Sequence, residues 1–531
     1  MASDRTRREF LQVSAGVAAY AASARFPVTH LPPQPPPDDV FVETPSGKLR
    51  GKGYSIAWFK GVPYAASVIG ARFRAAQSYA PWAGVRDATY HGPKCPQDAG
   101  VGPSPLASYR TPPETSEDCL TLNIYAPQPL AGGKRPVMVW LHGGAFEGGG
   151  SGSSSWYDGE SLARRGDVVV VTITHRLNVF GYLHLADVAP KVAADANVGQ
   201  TDIILALKWI RENIAAFGGD PACVTLFGAS GGGRKAAVLT AMPEAHGLFH
   251  QMIAQSGAIL RAQTREEAAE HARAFLKQLD IASSDAAQLT NIPAEKLVAA
   301  REALFATAPR VWFGPVVDGK ILSAHPSDPA PLAIAAHIPL LIGSTGTETT
   351  LLLPDDENFR LDEAAMRKKL AEHMQPDRVG PAVDALRVEE GALSPPDVFF
   401  RVTSDLRMRN RAIEQASHKA AQPAPVYMYV TEWLTPIDNG MWRSPHVVDL
   451  PLIFDNAWYA PSMVGDSLGR ADAMAAKMSE AWIAFARSGD PNTKTLPQWP
   501  RYDTATRATM RFDDECRVIN DPHRELRRLL A

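Results

Sequence analysis

Cysteine is scarce in this sequence, and long hydrophobic segments are lacking. The 531 residues include four cysteines, at positions 95, 119, 223 and 516, with no C-x-x-C pair and no Cys/His cluster. This distribution argues against a metal site, so we expect neither a metal nor a cofactor. Since no segment reaches the roughly 18 to 20 apolar residues of a transmembrane helix, we also expect no integral membrane segment in the mature chain.

The sequence also lacks an excess of charge of one sign. Its 54 Lys and Arg nearly balance its 57 Asp and Glu, which gives a formal net charge of −3. A chain so close to neutrality has no global field that attracts nucleic acid or an anionic membrane, and we expect no nucleic-acid partner. The basic cluster at residues 407–411 is more typical of a solvated helix face.

The N-terminus has the composition of a targeting segment. Arg7 and Arg8 precede a weakly apolar stretch at residues 13–22, and Ala22-Ser23-Ala24 follows. This pattern predicts a twin-arginine signal peptide at residues 1–24, and therefore export to the periplasm or out of a bacterial cell. The alternative is a frayed amphipathic N-terminus with a chance arginine pair. The proline-rich residues 25–39 predict a stiff linker, which leaves residues 40–531 as the folded domain.

Short apolar runs alternate with amphipathic helical patterns in that domain. Continuous apolar runs, typical of strands buried on both faces, occur at residues 137–141, 168–173, 224–227, 252–254, 340–342 and 427–429. Helical patterns lie between them, and residues 264–310 are rich in helix. The alternation predicts an α/β fold with a large, mostly parallel central sheet, flanking helices and helical insertions.

A nucleophile motif follows one of these strands. Gly228-Ala229-Ser230-Gly231-Gly232 fits G-x-S-x-G between an apolar strand and a helical segment that begins near Arg234. In this context the glycines allow a sharp turn that exposes the serine hydroxyl above the sheet. Ser230 is therefore the candidate nucleophile.

Two alternatives to this interpretation are weaker. Ser467 also lies in a G-x-S-x-G match, but no apolar strand precedes it. The segment from Gly228 to Ala236 nearly fits a phosphate-binding loop, but Arg234 replaces the lysine and Ala236 offers no hydroxyl for Mg²⁺.

A glycine pair follows the strand at residues 137–141. In His142-Gly143-Gly144-Ala145-Phe146 the glycines leave backbone N–H groups uncovered, as a tetrahedral oxyanion requires. The motif predicts an oxyanion hole from the amides of Gly143, Gly144 and Gly231. A plain glycine-rich loop is the alternative, because more glycines follow at residues 148–152.

Several ordered landmarks accompany these motifs. They are FKGVPY at 59–64, EDCLTLN at 117–123, HGGAF at 142–146, WIRENI at 209–214, FGGDP at 217–221, QSG at 255–257 and PVVDG at 315–319. In this set the chain resembles the type-B carboxylesterase/lipase family, which includes bacterial carboxylesterases and the cholinesterases. The resemblance runs from about residue 42 to the C-terminal helix and implies an α/β-hydrolase catalytic domain.

The resemblance also implies a triad in the order serine, acid, histidine. The family's acid pattern matches residues 343–348, which makes Glu348 the acid, and the family's histidine matches His446 before Asp449-Leu450-Pro451. Ser256 matches a second serine that is expected to hydrogen-bond the acid, with a simple turn serine as the alternative. Cys95 and Cys119 match the family's first disulfide, although spacing alone leaves three pairings of four cysteines open.

The chain departs from the family at three places. Ala229 and Gly231 replace the usual Glu and Ala around the nucleophile, and Thr174-His175 stands where Asn-Tyr is usual. The first two changes predict a looser turn, but they remove no atom that the chemistry needs.

These expectations describe a serine hydrolase of small-molecule carboxylic esters that acts through an acyl-enzyme. Phe146, Trp312, Phe313 and Trp442 are candidate walls of an apolar substrate pocket, with ordinary core packing as the alternative. Two other functions stay open: an amide-bond hydrolase with the same triad, and a non-catalytic binding module of the same fold.

Overall fold

A 13-stranded sheet forms the centre of the computed structural model, which describes residues 36–98 and 114–530. The strands are β1 Asp38–Thr44, β2 Gly47–Gly53, β3 Ile56–Pro63, β4 Val85–Asp87, β5 Thr121–Pro127, β6 Arg135–Leu141, β7 Val169–Ile173, β8 Gly219–Ala229, β9 Gln251–Gln255, β10 Leu340–Thr345, β11 Val426–Thr431, β12 Ala508–Phe512 and β13 Arg517–Asn520. Their order is β1-β2-β3-β5-β7-β6-β8-β9-β10-β11-β12-β13, and β4 pairs with β2.

The middle of this sheet is parallel. Every neighbouring pair from β7 to β12 is parallel, whereas β2–β3, β3–β5, β5–β7 and β12–β13 are antiparallel. The expected large, mostly parallel sheet is confirmed. Because the carboxyl ends of parallel strands share one edge, the turns after β6, β8, β9 and β10 come together there.

Helices cover the sheet and form the insertions. The α-helices of two or more turns are Glu160–Gly166, Val198–Asn213, Gly231–Leu239, Arg265–Gln278, Ala294–Thr307, Glu363–Leu370, Pro376–Glu390, Pro395–Ser404, Asn410–Ala420, Leu468–Ser488 and Arg524–Leu530. Shorter helical turns are Ser155–Tyr157, Asn178–Tyr182, Ile214–Phe217, Pro243–Ala245, Ser283–Thr290, Ala333–Ala335, Thr349–Leu352, Asp356–Arg360, Leu450–Ile453, Ala457–Tyr459 and Pro461–Val464. The helix-rich stretch expected at residues 264–310 is present.

The two faces of the sheet bury separate apolar clusters. On β6, Val139 and Leu141 pack into one cluster and Met138 and Trp140 into the other, and all four are fully buried. Successive strand residues point to opposite faces, so a strand covered on both sides reads as a continuous apolar run. A third cluster, which includes Phe399, lies among the helices of residues 363–404 and the Arg524–Leu530 helix.

The described residues from 39 onward form one compact unit. Strand β1 begins at Asp38, two residues inside the predicted 25–39 linker. The predicted signal peptide, residues 1–24, lies outside the described residues, so its export function stays a prediction. In the described part of the chain, every helix is too short or too polar to cross a membrane.

Candidate active site

Ser230 stands at a sharp turn between β8 and the Gly231–Leu239 helix. Its backbone has φ 55° and ψ −123°, a conformation that costs a non-glycine residue about 1 to 3 kcal/mol. The Ser230 amide donates to the Gln255 carbonyl at 2.7 Å, and the Ser230 carbonyl accepts from the Arg234 amide at 3.1 Å. These bonds hold the strained turn and leave the half-buried serine at the carboxyl edge of the sheet. The strand–turn–helix context is confirmed, although the helix begins at Gly231 and not near Arg234.

The turn is packed too tightly for side chains at its glycines. A Cβ atom at Gly232 would lie 1.8 Å from the Leu141 carbonyl oxygen, and one at Gly231 would lie 2.1 Å from the Ala145 carbonyl oxygen. Both contacts are shorter than any real Cβ contact, so this backbone requires glycine at both positions. The looser turn expected from Gly231 is therefore not found.

Glu348 follows β10 and is fully buried. Its Oε1 accepts hydrogen bonds from the Ser256 hydroxyl at 2.5 Å and from the Thr345 amide at 2.8 Å, while its Oε2 bonds to Nδ1 of His446. Both carboxylate oxygens thus have donors, as a buried carboxylate requires. Ser256 occupies the position beside the acid that the resemblance implied.

His446 lies on a loop that is tied to the loop of the acid. Two hydrogen bonds cross between them: the Thr347 amide donates to the Ser444 carbonyl at 3.0 Å, and the Ser444 amide donates to the Thr347 hydroxyl at 2.9 Å. The Ser444 hydroxyl donates to the Thr431 carbonyl at 2.7 Å, which anchors the loop at the end of β11. The imidazole is 6% exposed, so its position is set by protein contacts.

The structure brings Glu348 and His446 into direct contact and places Ser230 nearby. Ser230 bonds to Gln255, the residue before Ser256, and Ser256 contacts Glu348. Among the described residues, the Ser230 hydroxyl and the His446 ring share no hydrogen bond. Serine, acid and histidine thus lie on turns that follow β8, β10 and β11 at the same edge of the sheet.

The glycine loop after β6 approaches the serine turn. A Cβ atom at Gly143 would lie 3.6 Å from Cβ of Ser230, and one at Gly231 would lie 2.5 Å from the Ala145 amide nitrogen. Gly144 and Ala145 both have positive φ, 83° and 52°. Within the described residues the amides of Gly144, Ala145 and Gly231 donate to no protein group, which leaves them free for a ligand.

The Gly143 amide has a different neighbour. Burial raises the pKa of Tyr157 to about 12, and the Gly143 backbone opposes this shift. A neutral backbone group that bonds to a phenol lowers the pKa of the phenol by donating its N–H to the phenolate, so the Gly143 N–H faces the Tyr157 oxygen. This argues against Gly143 as an oxyanion donor and favours Ala145. The sequence carries no signal for Ala145, because the HGG motif marks only glycines as donors.

Asp449 is a buried acid that serves in the sequence motif only as a landmark after His446. Burial and then the charge of Glu348 raise its pKa to about 6, and Tyr429 donates to Oδ2 at 3.2 Å. The signal that could have identified it is its place in an apolar segment, beside Leu450 and Leu452, which are also buried.

The four candidate pocket aromatics do not form one wall. Phe146 and Trp312 pack together with ring centroids 6.3 Å apart. Phe313 stacks on Phe305 at 5.8 Å in the core, and Trp442 packs against Phe359 at 5.3 Å. Phe146 lies in the HGGAF loop and Trp312 packs beside it, whereas the Phe313 ring is buried in the main apolar cluster, so Phe313 is better described as core.

Cys95 and Cys119 are buried neighbours, and the structure contains both as free thiols. Contact with Cys95 and then burial raise the pKa of Cys119 well above its ordinary value. The disulfide implied by the resemblance stays a prediction. Across residues 36–98 and 114–530, no three His, Cys, Asp or Glu side chains are grouped as metal ligands.

Comparison with known proteins defines the class. The fold is that of an α/β-hydrolase. The sequence model of the Carboxylesterase family matches residues 38–527. Para-nitrobenzyl esterase of Bacillus subtilis (strain 168) is 37% identical over 505 residues, which cover 92% of this chain and 98% of that protein.

Solved structures agree with this assignment. A thermophilic pNB esterase superposes with a TM-score of 0.80 at 35% identity and covers 92% of this chain and 99% of its own. A carboxylesterase of Geobacillus stearothermophilus gives 0.79 at 37% identity, over 92% and 100% of the two chains. This chain belongs to the carboxylesterase family. It is a carboxylic ester hydrolase, which implies small-molecule ester substrates.

Proposed function

We propose that the enzyme hydrolyses esters through a triad of Ser230, His446 and Glu348. The observation that carries this proposal is the bond between buried Glu348 and Nδ1 of His446. A carboxylate that accepts from Nδ1 fixes the tautomer in which Nε2 is bare and able to take a proton. The Ser256 and Thr345 donors keep the carboxylate oriented.

In the proposed reaction, Nε2 of His446 takes the Ser230 proton while Oγ attacks the ester carbonyl carbon. The tetrahedral oxyanion collapses, the bond to the alcohol oxygen breaks, and His446 protonates the leaving alcohol. Water then repeats these steps on the acyl-enzyme and releases the acid and free Ser230. The step requires the Ser230 hydroxyl to reach Nε2, and catalytic hydrogen bonds of this kind often tighten only when substrate is bound.

We assign the oxyanion to an amide cradle, defined as the N–H groups of Gly144, Ala145 and Gly231. This assignment replaces Gly143 of the motif-based prediction with Ala145, because the Gly143 amide faces Tyr157. It rests on the close approach of the Ala145 backbone to Gly231 and on the absence of other acceptors for these amides in the described residues. Donors fixed before the reaction starts stabilise the developing charge without reorganisation.

Ser230→Ala tests the proposal, and Ser467→Ala is its matched control in the second G-x-S-x-G match. We expect Ser230→Ala to lower kcat on a short-chain p-nitrophenyl ester about 10⁴-fold or more, with an unchanged far-UV spectrum. Ser467→Ala should keep wild-type activity. A fluorophosphonate probe should label wild type and Ser467→Ala but not Ser230→Ala. Undiminished turnover by Ser230→Ala would refute the triad.

A further inference from the structure

Lys235 is a buried lysine beneath the glycine loop. It lies on the Gly231–Leu239 helix with its side chain fully buried, and its Nζ donates to the His142 carbonyl at 3.0 Å. Within the described residues this is the one hydrogen bond of the ammonium group. The carboxylate that acts on it electrostatically, Glu147, is itself paired with Arg301 at 2.9 Å. The charge of Lys235 therefore lacks a dedicated ion-pair partner.

This placement is unfavourable for the lysine. Burial lowers the pKa of Lys235 to about 7, and the charge of Glu147 opposes the shift only in part. An apolar residue would avoid that cost, because burying an ammonium group without a paired carboxylate is strongly disfavoured. A lysine kept under such conditions beside a reaction site is a candidate for a functional role.

The residue that Lys235 contacts is linked to the amide cradle. Burial and then Lys235 lower the pKa of His142 well below its ordinary value, so the ring is neutral. Its Nδ1 lies 2.9 Å from the Gly143 carbonyl and must donate to it, since a carbonyl oxygen only accepts. The same ring stacks on His175 at 5.0 Å. His142 therefore holds the carbonyl end of the Gly143–Gly144 peptide.

That peptide has its N–H end at Gly144, the first donor of the proposed cradle. We propose that Lys235 is a positioning residue for the amide cradle: it fixes the His142 backbone, and the His142 ring in turn orients the Gly143–Gly144 peptide. This inference rests on the proposed function, because it assigns the Gly144 amide to the oxyanion. Lys235 touches neither substrate nor the reacting atoms. It acts by keeping one donor aimed where negative charge develops.

The test uses the full-length enzyme and three substitutions. Lys235→Met removes the donor and the charge with little change of length, whereas Lys235→Gln keeps a neutral donor. Lys419→Met is the matched control, because Lys419 is also buried and donates to a backbone carbonyl, that of Ala335 at 2.6 Å, outside the site. It reports what the loss of any buried lysine does to stability and activity.

The readouts are the acylation burst with a p-nitrophenyl ester, KM, and the inhibition constant of a trifluoromethyl ketone. Addition of the ketone to the Ser230 hydroxyl forms a C–O bond, leaves an alkoxide in the cradle and places the serine proton on His446. Loss of one direct oxyanion donor costs about 10²- to 10³-fold, so an indirect effect of about 10- to 100-fold is expected for Lys235→Met. The acylation rate and the ketone affinity should fall together while KM changes less than about twofold.

The acylation rate and the ketone affinity of Lys235→Gln should lie between those of wild type and those of Lys235→Met, because the glutamine keeps one neutral donor. It also supplies the measurement if Lys235→Met does not fold. Acylation rates and ketone affinities of both Lys235 variants within about twofold of Lys419→Met would overturn the proposal, because a structural role gives that result. An active Ser230→Ala would instead refute the proposed function, so the two failures are distinguishable.

Discussion

Glu348 and His446 are 98 residues apart in the chain, yet the carboxylate of one bonds directly to the imidazole of the other. The contact is possible because Glu348 follows β10 and His446 follows β11. These neighbouring strands are parallel, so both end at the same edge of the sheet. Glu348 has no exposed surface, so its partner atoms are all protein atoms. The pair is thus a fixed element of the site, and replacing Glu348 should have a direct effect on activity.

Glu348→Gln should abolish most activity without unfolding the protein. The Ser256 hydroxyl and the Thr345 amide can still donate to the remaining carbonyl oxygen, but the new NH₂ group would face Nδ1 of His446. That arrangement favours the tautomer with a proton on Nε2, which cannot accept the serine proton. We expect kcat to fall about 10³- to 10⁴-fold, measured with a p-nitrophenyl ester near pH 8.

Ser256→Ala is the control for this prediction. It removes one donor to Glu348 but leaves the bond to His446, so kcat should fall only about 10-fold, in line with one hydrogen bond to a charged group. A Glu348→Gln variant within tenfold of wild type would contradict the role assigned to the acid.

The buried His523 should make the free energy of unfolding depend on pH. It precedes the C-terminal helix, and its two ring nitrogens lie 2.6 Å from an Asp405 oxygen and 2.5 Å from a Glu390 oxygen. Burial alone would lower the pKa of His523, but Asp405 and Glu390 outweigh it and raise the pKa to about 9. A raised pKa stabilises the fold fully below the unfolded value of about 6.5, and the contribution is lost as pH rises through about 9.

Urea unfolding of His523→Gln at pH 6.5 should show a loss of about 2 to 3 kcal/mol, since one pKa unit corresponds to about 1.4 kcal/mol. The wild-type stability should decline more steeply than that of the variant between pH 7 and 9.5. His373→Gln is the matched control, because His373 lies among the helices of residues 363–404, which share an apolar cluster with the C-terminal helix. Burial lowers the pKa of His373, so it titrates below pH 7 and its loss should leave this slope unchanged. Equal slopes for wild type and His523→Gln would rule out the prediction.

Cys95 and Cys119 should form a disulfide in the exported protein. Export is proposed from the sequence alone, and an oxidising compartment would permit the bond. Since the two thiols are already neighbours and buried, closure requires little movement. The bond should add about 3 to 4 kcal/mol on the chain-entropy account. Peptide mapping without reductant should recover residues 95 and 119 in one cross-linked fragment.

Cys223→Ala serves as the control, because Cys223 lies in β8 away from both thiols. Reductant should lower the melting temperature of wild type and Cys223→Ala but not of Cys119→Ala. Recovery of all four cysteines as free thiols from periplasmic protein would contradict the pairing.

The residues of the proposed triad can be predicted from the sequence more readily than the groups that surround them. Ser230 was identified because a strand, a glycine turn and a helix follow one another locally, and Glu348 was identified because it follows a strand in a family pattern. The donors of the cradle were harder to predict. Which amide points at the oxyanion depends on the positive φ angles of Gly144 and Ala145 and on Tyr157, which arrives from another part of the chain.

Burial is the second property that the sequence could not supply. Phe313 and Trp312 are adjacent, yet one is core and the other lies partly exposed beside Phe146. In the same way, nothing local distinguishes Lys235 from a solvated helix lysine. Its enclosure under His142 results from how the Gly231–Leu239 helix packs below the end of β6.

The paired bonds between Thr347 and Ser444 have a mechanical consequence. They couple the segments that bear the carboxylate and the imidazole, so thermal fluctuation displaces these two groups in concert. The serine turn is attached to this unit less directly, through β8 and through the Gln255 carbonyl, which precedes Ser256 in the chain. Of the links in the proposed proton relay, the one between hydroxyl and ring is therefore the least constrained, and substrate binding has to close that separation to make the enzyme competent.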